Sequence, residues 1–382
     1  MPTVDDFLDH LGGYELLAWH RENGRHRSEA VYLDLYREQL ARGLSETRLI
    51  YLDTNYWVRL RDAALGKGTP EAVQLLQILR AMVRSREALC VSQLYSLLEI
   101  CKQEENSLRA SAELLDELTE GVAIASPEDV LLWECAEFAG TTLRRNCPVN
   151  SFPWTKVGQI HDSGLPSTTP GFISPAQRAV LLKALIDATW NMTFSYVFQQ
   201  FDWDTKSRLS FEFEPELFVQ LTASKAERQA RGVTLNSARS EAFADLFSSQ
   251  AMPLLKQLSQ LWRSESTNTE NKADLLLDVA TIQSTALKAF EERSLGRSLP
   301  GLAIHSDLYA LYETDRQRRK PQTTNDWFDS CHAAVALPYC DLFLTERHLA
   351  HRLCHLLHAD VEYECEVIGT IGESVDRLRA AS

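Results

Sequence analysis

The fold class is indicated by two stretches near the C-terminus, Asn325-Asp326-Trp327-Phe328-Asp329-Ser330-Cys331-His332-Ala333-Ala334 and Asp341-Leu342-Phe343-Leu344-Thr345-Glu346. The first is typical of the start of a helix, and the second of a short buried strand that ends in an acid. A matching strand lies far upstream, at Arg48-Leu49-Ile50-Tyr51-Leu52-Asp53. Side chains at the carboxyl ends of parallel strands converge on one crevice, so the acids predict a Mg²⁺ or Mn²⁺ site on a parallel sheet.

The pattern between these stretches begins as an alternation of strands and helices. Strands are predicted at 48–53 and 88–92, and helices at 71–86 and 93–105. This alternation is typical of an α/β fold with a parallel sheet flanked by helices. Strand character returns only at 341–345 and 361–368. We therefore expect one α/β domain that is interrupted by a large, mainly helical insertion.

The predicted domain organisation has four parts. Residues 1–45 form a helical lead-in, residues 46–110 the first part of the α/β domain, and residues 300–382 its second part. The insertion, 111–299, contains a proline-rich stretch at 147–175 that predicts a long irregular loop. We expect the helical insertion to be the surface for an inhibitor or partner protein, if the chain has one.

Composition sets limits on the class of protein. The chain has 382 residues, of which 45% are hydrophobic, so it can bury a large core. It has no apolar run long enough to cross a membrane and no secretory signal pattern, which predicts a cytoplasmic protein without a membrane partner. The eight cysteines are scattered and are expected to be reduced.

Charge bears on nucleic-acid binding. The formal net charge is −14, which opposes non-specific adhesion to DNA or RNA. Any contact with nucleic acid must therefore be local. Two basic patches are candidates, one at 316–320 and the other formed by Arg80, Arg84 and Arg86. The first patch adjoins the acidic helix, which makes it the stronger candidate.

Four short motifs together resemble the PIN-like domain family of metal-dependent nucleases. They are Leu52-Asp53-Thr54-Asn55, the helix with Glu99, Asp329-Ser330-Cys331-His332-Ala333-Ala334, and Phe343-Leu344-Thr345-Glu346. The resemblance covers less than half of the chain. It implies a PIN-like, Rossmann-like parallel sheet and a metal-dependent endoribonuclease that hydrolyses phosphodiester bonds in single-stranded RNA.

The same resemblance implies the catalytic residues. Asp53, Glu99, Asp329 and Glu346 match the family's metal ligands, with Glu346 in place of the commoner aspartate. Asp326 is either a fifth ligand or the cap of its helix. Carboxylate oxygens suit Mg²⁺ and Mn²⁺, and an ion held by them supplies a hydroxide nucleophile and stabilises an oxyanion.

Five residues are candidates for substrate binding: Asn55, Arg318, Arg319, His332 and Arg347. His332 is equally well explained as a core histidine. Downstream, His351, His355 and His358 share one helix face, which fits a structural role, a substrate contact or a zinc site. Asp341 lies at the far end of its strand and is interpreted as structural.

Two alternatives to a nuclease remain at the level of the sequence. The first is a non-catalytic PIN-like module that binds proteins through its helical insertion. The second is a phosphatase that resembles haloacid dehalogenases, whose first strand also ends in aspartate. That class places a second aspartate two residues later, where this chain has Asn55.

Overall fold

The structure is a computed structural model that describes residues 13–23, 28–144, 152–160, 174–199, 232–265, 272–315 and 323–381. This part of the chain is mainly helical and contains a small four-stranded parallel sheet. The expected mixed α/β class is confirmed at this level. Two compact units are formed, one within residues 1–126, 152–209 and 375–382, and the other within residues 127–151 and 210–374.

The helices and strands follow one another along the chain as α1 Gly13–Asn23, α2 Glu29–Leu44, β1 Arg48–Leu52, α3 Thr54–Ala64, α4 Pro70–Ser85, β2 Ala88–Val91, α5 Leu94–Ile100, α6 Glu105–Thr119, β3 Val122–Ile124, α7 Pro127–Leu143, β4 Trp154–Lys156, α8 Pro175–Thr189, α9 Phe194–Gln199, α10 Leu235–Leu246, α11 Met252–Glu265, α12 Lys272–Glu291, α13 Pro300–Thr314, α14 Thr324–Tyr339, β5 Leu342–Leu344, α15 Arg347–His351, α16 Ala359–Tyr363, β6 Glu366–Ile368 and α17 Ile371–Ala381. Short 3₁₀ or π-helical turns occupy Val157–Gln159, Phe247–Ala251 and Arg352–Leu357.

In the first unit, β1 and β2 pair in parallel over four residues, from Arg48 opposite Ala88 to Tyr51 opposite Val91. Both strands are apolar and almost fully buried, as expected for a parallel sheet covered on both faces. Helix α4 makes the crossover between them. Its start is set by the Thr69 cap and by Pro70 in the first turn, and its end by Arg86 in the left-handed conformation.

One sequence prediction in this unit was wrong. The proline-rich stretch at 147–175 is not irregular throughout, because residues 152–160 contain β4 and a 3₁₀ turn. Strand β4 pairs antiparallel with β3, and Trp154, Val157 and Ile160 are buried. Burial of these three apolar side chains stabilises the segment in spite of its prolines. Residues 145–151 and 161–173 lie outside the described part of the chain.

The N-terminal helices dock on α8 through one carboxylate. Asp187 Oδ1 accepts hydrogen bonds from the hydroxyl groups of Tyr32 and Tyr36, each at 2.8 Å. Its Oδ2 lies 2.9 Å from Nε2 of His20, whose side chain is fully buried. A single residue of α8 therefore binds both α1 and α2, and the predicted helical lead-in is integrated into the unit.

The second unit has its own core between helices. Side chains from α7 and from α10 to α13 pack together, and the rings of Phe243 and Phe290 stack with centroids 4.1 Å apart. Arg239 and Asp307 form a bidentate ion pair beside this core. This part of the predicted insertion is thus helical, as its periodicity indicated, and it packs in one unit with the C-terminal strands.

Strands β5 and β6 pair in parallel, from Leu342 opposite Glu366 to Leu344 opposite Ile368. The predicted strand at 361–368 was too long, because Val361 lies in α16 and only the last three residues are paired. Pairing begins where the Glu366 N–H donates to the Asp341 carbonyl, at 3.0 Å. Val361 is 73% exposed, so burial does not favour a strand there.

Two further expectations concern the chain's chemistry and environment. The seven described cysteines form no disulfide. Six of them are buried, as predicted for core thiols, and Cys354 is half-buried. None of the described helices combines the length and the apolar character that a membrane span requires.

Candidate functional site

Asp53 lies at the carboxyl end of β1, where the sequence placed it. It is 6% exposed and caps α3, because its Oδ1 accepts a hydrogen bond from the Tyr56 N–H at 3.1 Å. The backbone is extended at Asp53 and helical from Thr54 onward, which aims the carboxylate at the end of the sheet. Capping therefore fixes the first candidate ligand in position.

Glu99 lies on α5, the helix that follows β2, and it is hydrogen-bonded to Thr54, the residue that follows Asp53. The hydroxyl of Thr54 donates a hydrogen bond to Oε2 of Glu99. A second hydrogen bond joins β1 to α5 one helical turn before Glu99. The hydroxyl groups of Tyr51 and Ser96 are 3.1 Å apart and buried. The structure thus places the first two candidate ligands on neighbouring elements of the first unit.

In the second unit the acids of α14 differ in their roles. Asp326 forms a capping box with Thr323, whose N–H and hydroxyl both donate to Oδ2, at 2.7 and 2.8 Å. This geometry favours the cap interpretation of Asp326 over the metal-ligand interpretation. Asp329 follows one turn later and is half-buried. His332 is 2% exposed, which favours its interpretation as a core histidine over a phosphate contact.

Glu346 follows β5 and Thr345, at the carboxyl end of that strand. Thr345 is fully buried, and its N–H donates to the Ile368 carbonyl of β6 at 3.0 Å. Glu346 and Arg347 are exposed, and the Glu346 carbonyl accepts from the Ala350 N–H at 2.9 Å as α15 begins. Both candidate side chains therefore project into solvent from a well-anchored turn. Asn55 is also exposed, in the first turn of α3.

Gly369 permits a close approach beside Glu346. A Cβ atom at this position would lie 2.9 Å from the Cα of Arg347 and 3.0 Å from the Cβ of Ala350. Real Cβ atoms do not come so close to a backbone atom, so the residue after β6 must lack a side chain for α15 to begin where it does. The sequence signal was a glycine directly after a strand, and sequence reasoning did not single it out.

We expect Gly369→Ala to destabilise the protein by about 1–3 kcal/mol, as overpacking does in well-packed regions. Urea denaturation measures the change in the free energy of unfolding. Gly372→Ala is the matched control, because a Cβ there meets nothing within 4 Å and alanine favours the helix. Equal stabilities of the two variants would show that the contact at Gly369 does not constrain the turn.

Of the two basic patches predicted to contact nucleic acid, the structure describes only one. Arg318 and Arg319 lie outside the described residues, so their role stays a prediction. In the other patch, Arg80 and Arg84 both pair with Glu117, at 2.7 and 3.9 Å. The single carboxylate of Glu117 offsets one of the patch's three positive charges and engages Arg80 and Arg84, which makes these two arginines weaker candidates for binding RNA.

The three candidate histidines near the C-terminus do not lie on one regular helix. His351 ends α15, His355 lies in the π-helical turn, and His358 has a left-handed backbone. The rings of His351 and His355 are 5.0 Å apart between centroids. Within the described ranges of the chain, no group of three or more His, Cys, Asp or Glu side chains is arranged to hold a metal ion.

No protein-family model, curated protein or solved structure matches this chain.

Proposed function

We propose that this protein is a Mg²⁺- or Mn²⁺-dependent endoribonuclease with a PIN-like domain. The observation that carries the proposal is the arrangement of Asp53 and Glu99. Asp53 is held at the carboxyl end of a parallel strand, and Glu99 accepts a hydrogen bond from the adjacent residue, Thr54. Ligands of α/β proteins bind outside the carboxyl ends of the strands, so this is where a reactive centre is expected.

The residues present fit a hard divalent cation. Asp53 and Glu99 offer only oxygen ligands, which Mg²⁺ and Mn²⁺ prefer. A bound ion would lower the pKa of a water molecule and stabilise negative charge on the phosphate. We assign Asp329 and Glu346 to the same ligand set on the order of the sequence motifs. Each lies on the element that the motif predicts, Asp329 on the helix α14 and Glu346 after β5.

The chain's own residues position the substrate in this proposal. Arg347 is exposed beside Glu346 and can donate hydrogen bonds to a phosphate, as can Arg318 and Arg319. Asn55, exposed one residue after Thr54, is the candidate contact from the first unit. The net charge of −14 requires such local contacts, because the bulk field repels RNA.

Single-stranded RNA is proposed as the substrate on the resemblance alone. A cytoplasmic location belongs to the same proposal and fits the described cysteines, which form no disulfide. An inhibitor or partner protein would bind the helices within 111–299.

Mn²⁺ binding tests the metal site without relying on activity. Isothermal titration of the purified chain with Mn²⁺ should show saturable binding, and Glu99→Gln should weaken it by at least about tenfold, since even residues that only support ligands contribute that much. Glu113→Gln is the matched control, because Glu113 is exposed on the next helix and has no proposed role.

Loss of affinity in Glu99→Gln alone supports the site. Equal Mn²⁺ affinity of wild type, Glu99→Gln and Glu113→Gln would contradict the assignment of Glu99 as a ligand.

A further inference from the structure

A second candidate site lies in the first unit, beside the opposite ends of the strands. It is a cleft of about 500 Å³, bordered by Thr47 just before β1, Ala88 at the start of β2 and Val122 at the start of β3. Clefts that bind small molecules typically have volumes of about 300–1,000 Å³. The cleft is thus large enough for a ligand, and it is distinct from the acids at the carboxyl ends of the strands.

Two aromatic side chains line one part of the cleft. The rings of Tyr36 and Trp190 have centroids 4.9 Å apart and planes inclined by 55°. Tyr36 is held by the hydrogen bond from its hydroxyl to Asp187, and Trp190 follows α8 directly. Both side chains are therefore positioned by their neighbours before any ligand binds, which lowers the entropic cost of packing a planar ring against them.

Two cations also line the cleft. Lys156 is half-buried, and one of its three N–H groups donates to the Glu120 carbonyl at 2.6 Å. Burial lowers the pKa of this ammonium group, and the negative charge of Glu120 only partly opposes the shift, so a further anion beside Lys156 would offset the cost of desolvation. Arg86 is exposed at the end of α4. Neither cation forms an ion pair with a carboxylate among the described residues.

The remaining polar lining fits a sugar. Gln39, Thr47 and the carboxylate of Glu120 offer donors and acceptors for hydroxyl groups. An acidic side chain that accepts hydrogen bonds from ribose is a recurring feature of nucleotide sites.

We propose that this cleft binds a small anionic molecule with a planar ring, of the class of nucleoside monophosphates. The ring would pack on Tyr36 and Trp190, the ribose would contact Glu120, and the phosphate would contact Arg86 and Lys156. The proposal is independent of the metal site, because it uses none of the candidate metal ligands.

Adenosine monophosphate is the probe for the test. Calorimetric titration of the full chain in EDTA, which removes divalent cations, should show saturable binding. Adenosine and inorganic phosphate should each bind at least about tenfold more weakly, since each lacks one set of contacts. Binding should persist in Asp53→Asn, which separates this site from the proposed nuclease centre.

Two variants locate the binding. Arg86→Asn removes the guanidinium group and keeps a residue that tolerates the left-handed backbone. Lys156→Gln removes the ammonium group. Each should weaken binding about tenfold or more, as expected for hydrogen bonds between charged groups, whereas Arg84→Gln on the same helix should not. Absence of saturable binding by wild type, or equal affinity of wild type, Arg86→Asn and Lys156→Gln, would overturn the proposal.

Discussion

Asp53→Asn is expected to abolish metal-dependent cleavage of single-stranded RNA while leaving the free energy of unfolding unchanged or raised. The loss should be at least about a hundredfold, since a metal ion contributes several kcal/mol of transition-state stabilisation. Stability should persist because asparagine caps a helix as well as aspartate and can still accept the Tyr56 N–H. A neutral side chain also removes repulsion from the neighbouring Glu99.

Two controls separate catalysis from folding. Asp341→Asn changes an exposed carboxylate that precedes β5, and it should cleave RNA at the wild-type rate. Asp53→Ala should lose both activity and about 1 kcal/mol of stability, because alanine cannot cap α3. Cleavage rates on a labelled RNA and urea denaturation measure the two quantities. Wild-type cleavage by Asp53→Asn would favour the non-catalytic interaction module instead.

The second large effect concerns Glu134, a carboxyl group buried among the helices of the second unit. Glu134 is 7% exposed, and its Oε1 accepts a hydrogen bond from the hydroxyl of Tyr339 at 2.8 Å. The Gly301 N–H also donates to it, at 3.2 Å from Oε2. Burial raises the pKa of Glu134 from 4.5 to about 7, and the hydrogen bonds from Tyr339 and Gly301 only partly oppose this shift. The negative charge of the exposed Glu137 raises the pKa of Glu134 slightly further.

The sign of the pH dependence follows from this shift. The folded state binds the proton more tightly than the unfolded chain, so the contribution of Glu134 to stability falls as the pH rises from about 4.5 to about 7. Over that interval the loss is of the order of 3 kcal/mol. Glu134→Gln cannot ionise and should remove this loss. We therefore expect the variant's stability, relative to wild type, to increase between pH 5 and pH 8.

Urea denaturation at these two pH values provides the measurement. Glu128→Gln is the control, because Glu128 is exposed on the same helix and should change the pH dependence little. If the stability difference between Glu134→Gln and wild type were the same at pH 5 and pH 8, Glu134 would not titrate in this interval.

The sequence predicted the elements that are long or strongly patterned. The apolar strands β1 and β2 and the amphipathic helix α4 agree with prediction to within a residue. The pairing of Trp154–Lys156 with β3 was missed, because three residues carry too little alternation to outweigh the surrounding prolines. The start of β6 was also misplaced, since it depends on the partner Asp341 rather than on local propensity.

The candidate site was predictable to the extent that it depends on strand and helix ends. Asp53 and Glu346 each follow a strand, and Asp326 takes part in a cap, all of which are local properties of the sequence. The bond between Thr54 and Glu99 depends on the packing of α5 beside β1, and the role of Gly369 depends on the distance between α15 and the end of β6. Such distances between elements are not encoded in a local pattern.

Asp187 makes the first two helices inseparable from α8. Local opening of α1 would remove the His20 donor from this carboxylate, and opening of α2 would remove the donors from Tyr32 and Tyr36 and uncover the adjacent Trp190. The cost of that exposure couples the three helices, so their amide protons should exchange with solvent at related rates, as in one cooperative unit. Proteases that cut within α2 should therefore act only as fast as this unit opens.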